Sequence, residues 1–114
     1  MIKGYFLKNL TNMHVGSGDI NFGVVDNLVQ KDAITNYPVI HSSSLKGAFR
    51  EYFESFEDND MINYIFGQNP EDSSTRRPGA FAFFEAKLLF RPVRSSEELY
   101  FSATSKGILE EFLL

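Results

Sequence analysis

The sequence predicts an α+β domain with helices on one face of an antiparallel sheet, and three observations carry that prediction. Apolar residues recur at helical spacing from Leu45 to Phe56. A period-two alternation runs from Ala80 to Val93. The patterns follow one another as strand, long loop, helix, loop, strand or hairpin, and helix, which is not the regular strand–helix repeat of a parallel sheet. The chain has 114 residues, 43% apolar and including 12 Phe, which is enough for one core and excludes a largely disordered protein.

Residues 2–11 suit a strand, with Tyr5 and Leu7 on one face and Ile2, Gly4 and Phe6 on the other. A loop spanning 12–41 follows, rich in Gly, Asn and Asp, with Gly16 and Gly18 bracketing Ser17. Loops of that length are functional or contain small strands, and Val24-Val25 and Leu28-Val29 can pin such pieces. A helix is expected over 44–56, where Leu45, Ala48, Phe49, Tyr52, Phe53 and Phe56 make one stripe and Ser42, Ser43 or Ser44 serves as cap. A short second helix covers Asp60 to Phe66 and stops at Gly67. After a loop containing Arg76-Arg77, the strand from Ala80 to Val93 is apolar on one face and mixes Phe81, Phe83, Lys87 and Arg91 on the other. Thr104 is the expected cap of a last helix carrying Ile108, Leu109, Phe112 and Leu113. This order is part of a ferredoxin-like fold, read as a single domain over 1–114.

With no cysteine, a disulfide scaffold and thiolate-bound zinc are excluded, and a reducing cytoplasm is the natural setting. Lys8 and Asn9 interrupt the apolar start before a signal peptide forms, and no run is long enough to span a membrane. The net charge of −4 hides an uneven distribution. Residues 51–72 hold seven acids and no base, whereas 73–96 hold five bases against Glu85. Local patches therefore matter more than the total, although a plain solvated surface reads the same way.

The run Ser42-Ser43-Ser44-Leu45-Lys46-Gly47 resembles an anion site, because a helix start presents unpaired N–H groups and partial positive charge. Serine hydroxyls add donors, and Gly47 lets a backbone approach closely. Lys46 in a first turn opposes the helix dipole, at a cost of a few tenths to about one kcal/mol. With Arg50 one turn later, it makes sense if a polyanion lies there; the alternative is a serine cap beside a surface lysine. Asp26, among Val24, Val25 and Leu28, could aid RNA cleavage by holding a divalent ion or positioning a 2′-hydroxyl. Asp is equally a routine turn residue. His14 reads as a proton carrier or a simple contact, and His41 as a phosphate donor. Neither histidine has a triad partner at a recognisable spacing, and no P-loop or dinucleotide fingerprint is present. The Phe81, Phe83, Lys87, Arg91 face resembles surfaces on which single-stranded bases stack, but a packed helix also wants Phe81 and Phe83.

Three stretches together resemble the RAMP superfamily of CRISPR proteins: His14-Val15-Gly16-Ser17-Gly18, the run from Gly23 to Asp32, and the run from Tyr37 to Arg50. Phe66-Gly67, the Gly79 to Phe90 strand, Pro92-Val93-Arg94-Ser95 and Ala103-Thr104-Ser105 continue the likeness. It is strongest to the repeated backbone subunit of type III-B (Cmr) effector complexes, with the type III-A counterpart sharing the Asp-containing loop and the helix start. The resemblance implies a modified RRM (ferredoxin-like) fold, of which this chain holds only the first part. It implies stacking with copies of itself and other Cmr subunits along a CRISPR guide RNA, and endonucleolytic cleavage of the paired single-stranded target RNA. Asp26 takes the position of the catalytic aspartate, with a divalent metal (Mg2+ or Mn2+) supporting cleavage and no organic cofactor. His14 lies beside the cleavage loop. Ser43, Ser44, Lys46 and Arg50 take positions that grip guide-RNA backbone, with Gly16, Ser17, Lys31, His41 and Gly47 as further RNA contacts. No membrane partner is implied. A shortened, non-catalytic module that binds RNA or the complex is the alternative.

Overall fold

The computed structural model describes residues 1–18, 28–68 and 77–113. The architecture is α+β: three helices and small antiparallel strand pairs, sorted into two compact units. One unit comprises Met1–Val15 and Ile40–Ala86, the other Gly16–Val39 and Lys87–Leu114.

The first unit is organised by two helices, α1 (Ser42–Glu54) and α2 (Asn59–Phe66). The helix expected over 44–56 thus begins two residues early, because the chain turns at His41, whose extended backbone (φ −60°, ψ 147°) makes it the N-cap. None of the three serines caps it: they lie inside the helix, and the His41 side chain makes no capping bond. α1 ends where the Ser55 hydroxyl donates to the Tyr52 carbonyl at 2.7 Å. α2 has the cap α1 lacks, the Asp58 carboxylate accepting from the Met61 amide at 2.8 Å. The apolar stripe of α1 meets α2 through aromatic rings. Phe53 lies 6.2 Å from Phe66, and Phe66 stacks on Phe83 at 5.3 Å. Ile62 and Phe66 are buried.

α2 stops at Gly67, whose φ of +89° suits glycine alone among common residues. Gly79 packs directly beneath it. A Cβ on Gly79 would run into the Ile65 carbonyl oxygen and sit 2.7 Å from the Gly67 nitrogen. This approach lets Gly67 bridge Pro78, the Gln68 amide reach the Arg77 carbonyl at 3.1 Å, and the Ala80 amide reach the Tyr64 carbonyl at 2.8 Å.

In the second unit, Gly16 bridges Val29 and Lys31 bridges Pro38, so the span expected to be one long loop holds paired segments. Buried Gln30 donates from its side chain to the Gly16 carbonyl at 2.9 Å. Between Lys31 and Pro38 the chain reverses around Asp32, whose carboxylate accepts from the Ile34 and Thr35 amides and the Thr35 hydroxyl. Asn36 completes the turn at φ +59°. The hairpin pairs β3 (Arg91–Arg94) with β4 (Tyr100–Ala103), with Arg91 opposite Ala103 and Arg94 opposite Tyr100. Then comes α3 (Lys106–Leu113), capped by the Ser105 hydroxyl, which accepts from the Ile108 amide at 3.3 Å, one residue later than the expected Thr104. The remaining strands, β1 (Val39–Ile40) and β2 (Ala86–Lys87), pair with each other.

Two expected strands differ. Residues 2–11 form no strand: alternation makes a strand only when a neighbouring strand accepts its backbone bonds, and 2–11 join none of the sheets among the described residues. Ile2, Tyr5, Phe6 and Leu10 stand exposed. The single strand over 80–93 is divided instead. Residues 88–90 lie outside any strand between β2 and β3, and Pro92 sits within two-stranded β3, where a missing N–H is tolerated.

Candidate nucleic-acid interface

Six of the residues expected to touch RNA gather on one short stretch: His41, then Ser43, Ser44, Lys46, Gly47 and Arg50 on α1. A helix start carries partial positive charge from its first N–H groups. Here no acid lies in the first turn and His41 adds no side-chain cap, so no carboxylate of that turn offsets the charge. The Leu45 amide bonds the His41 carbonyl at 3.0 Å, closing the first helical turn. Ser43 is exposed, while Ser44 and Lys46 are half-buried. Because the helix begins at Ser42, Lys46 is its fifth residue and stands beyond the first turn. The dipole opposes it less than the sequence suggested. Lys46 makes no hydrogen bond or ion pair with any other described residue.

Arg50 differs. Its side chain is only 25% exposed and spends two donors inside the fold. Nε donates to Glu54 Oε1 at 2.8 Å, and Nη1 donates to the Gly67 carbonyl at 2.9 Å.

Gly16, Ser17 and Lys31 belong to the other unit. Gly16 accepts from Gln30, and the Ser17 amide bonds the Leu28 carbonyl at 2.7 Å. These bonds tie Gly16 and Ser17 to Gln30 and Leu28. Lys31 is exposed. His14, in the first unit, is exposed and has no hydrogen bond to another described residue. Asp26, the expected catalytic and metal-binding carboxylate, lies outside the described residues. Among the described residues no three His, Asp or Glu side chains gather as metal ligands.

The aromatic face resolves toward packing. Phe83 is held between Phe49 at 6.2 Å and Phe66 at 5.3 Å, and Phe81 meets Tyr64 edge-on at 6.4 Å. Lys87 pairs with Glu111, while Arg91 stays exposed on β3. Phe81 and Phe83 belong to the first unit, and Lys87 and Arg91 to the second.

Sequence reasoning missed three structural features. Gln30 carried no signal; a lone glutamine in a polar run shows nothing of burial. The Gly67–Gly79 contact joins residues distant in sequence. The Asp32–Thr35 turn did have a signal, since Asp followed three residues later by Thr is a spacing that closes on its own backbone.

The family model of the RAMP superfamily matches residues 6–112. The CRISPR system Cmr endoribonuclease Cmr4 of Pyrococcus furiosus is 41% identical over 108 residues, 93% of this chain and 36% of that protein. The CRISPR system CMR subunit Cmr4 of Saccharolobus solfataricus is 35% identical over 98 residues, 82% of this chain and 30% of that one. A crystal structure of Cmr4 superposes with a TM-score of 0.65 at 33% identity, covering 88% of this chain and 34% of its own. The chain thus spans about a third of the length of the curated relatives it matches. With nearly every residue inside the matched span, the chain belongs to the RAMP superfamily.

Proposed function

We propose that this chain is part of a type III-B CRISPR effector backbone subunit that holds guide RNA and cuts the paired target RNA. The observation that carries this is the superfamily match over 6–112, which contains both Asp26 and the α1 start. The names of its relatives, Cmr4 in two organisms and an endoribonuclease in one, support it. In this reading Lys46, Ser43 and Ser44 hold guide-RNA phosphates at the uncapped start of α1, with His41 beside them. Gly16, Ser17 and Lys31 flank in sequence the segment that contains Asp26, and His14 contributes from the preceding segment. Asp26 is the residue whose carboxylate acts in cleavage, a divalent metal supports it, and copies of the subunit assemble with other Cmr subunits along the guide.

The test is Asp26→Ala in the intact subunit, reconstituted with guide RNA and the other complex subunits. Cleavage should fall by about 10²- to 10⁴-fold, the range for losing a group that assists proton transfer, while target binding persists. Cutting at the wild-type rate would remove Asp26 from the chemistry, and cutting undiminished by a chelator would remove the metal. A second reading has one observation behind it: the Csm3 endoribonuclease of Streptococcus thermophilus is 36% identical over 73 residues. That alignment covers 54% of this chain against 93% for Cmr4, which favours the type III-B assignment. Co-purification with Csm rather than Cmr subunits would reverse it.

A further inference from the structure

We infer that Arg50 is a positioning residue that aims Lys46 from behind, and that it does not itself contact RNA phosphate. The inference rests on the reading of the α1 start as a guide-RNA grip. Its observations are independent of that reading.

Arg50 and Lys46 stand four residues apart, so they are neighbours on one helix face. Their surroundings differ. Lys46 makes no bond with another described residue, whereas Arg50 is three-quarters buried and bonds in two directions. One bond runs along α1 to Glu54. The other crosses to the Gly67 carbonyl at the end of α2.

That carbonyl is a rigid anchor. Gly67 is buried, sits at φ +89°, and is wedged against Gly79 so closely that neither glycine accepts a Cβ. The neighbouring Gln68–Arg77 and Ala80–Tyr64 bonds hold it from both sides. A guanidinium has a planar fork of donors, which suits it to hold a carboxylate and a carbonyl at once. The Phe53–Phe66 contact joins the two helices by apolar packing, which permits α1 to roll about its axis. The Arg50–Gly67 bond is directional and stops that roll. Lys46, one turn nearer the helix start, is thereby held at a fixed angle.

The test uses the intact subunit and a labelled oligouridylate, with binding measured across a salt series. Lys46→Ala, Arg50→Ala, Arg50→Lys and the Lys46→Ala/Arg50→Ala double variant are compared, each first checked for folding by circular dichroism. Lys46→Ala should flatten the slope of log affinity against log salt by about 0.7, the share of one phosphate contact on a single strand. Arg50→Ala should lower affinity by about tenfold, within the range of coupling between side chains of one network, and leave the slope unchanged. Arg50→Lys should resemble Arg50→Ala, since one ammonium lacks the fork. The double variant should bind no worse than Lys46→Ala alone.

A slope flattened by Arg50→Ala, or affinity restored by Arg50→Lys, would show a direct phosphate contact and overturn the inference. Additive losses in the double variant, or affinity unchanged by Arg50→Ala, would reduce Arg50 to a purely structural role and also overturn it. If Arg50→Ala fails to fold, Arg50→Lys decides by the same two readouts. An unchanged slope in Lys46→Ala is a different failure: it removes the phosphate grip itself.

Discussion

Asp32 shows how a single side chain organises a turn in this protein. Its carboxylate accepts from the Thr35 amide at 2.7 Å and the Thr35 hydroxyl at 2.8 Å. The Thr35 amide, then the Thr35 hydroxyl, hold the carboxyl below its ordinary value, with smaller help from the Ile34 amide and the Lys87 charge. A depressed carboxylate stabilises the turn above the unfolded value of about 3.9 and loses that contribution as pH falls through the lower folded value. An NMR titration of the Asp32 carboxyl should therefore give a midpoint below about 3.9. Protection of the Asn36 amide, which bonds the Asp32 carbonyl, should fade over the same acid range. A midpoint at or above the ordinary carboxylate value would mean that the Thr35 bonds do not form in solution. The Asp-x-x-Thr spacing was visible in the sequence, whereas the shift depends on geometry that only the folded turn supplies.

At the scale of an element, α1 is the informative case. Its stripe of Leu45, Phe49, Tyr52 and Phe53 was legible because helical spacing is a property of the chain itself. Its start was not. Three serines in a row offered three caps, and the backbone turned one residue earlier, at His41. Gly47 tests what the helix start is for. In mid-helix it costs about 1 kcal/mol relative to alanine, and a Cβ there would meet nothing within 4 Å. Gly47→Ala should therefore raise the denaturation midpoint of the intact subunit. If a phosphate backbone lies against this surface, the added methyl should weaken RNA binding at the same time. Higher stability with undiminished RNA affinity would show that RNA does not approach α1 at Gly47.

For the whole molecule, the prominent fact is how much apolar surface stands open. Ile2, Leu10, Ile34 and Leu99 are each 87% exposed or more, and buried apolar residues among those described are few. Soluble monomers rarely leave large contiguous apolar patches uncovered. The 114-residue chain alone should therefore bind an environment-sensitive hydrophobic dye and self-associate as its concentration rises. A monodisperse, dye-silent solution would show that these side chains find cover. No helix among the described residues is long and apolar enough to cross a membrane.

The sequence by itself determined the α+β class, the two central helices, the stop at Gly67 and, through the matched runs around Asp26 and Ser42–Arg50, the family. Each of these is local: a periodicity, a glycine at a helix end, or a motif read in order. Tertiary structure alone decided that residues 2–11 pair with no described strand, that Phe83 packs between Phe49 and Phe66, and that Arg50 reaches the Gly67 carbonyl while Lys46 bonds no described residue. Those outcomes depend on partners distant in the chain, which a spacing rule does not contain. Two cations four residues apart looked equivalent in the sequence; a carbonyl held in place by two touching glycines made them different.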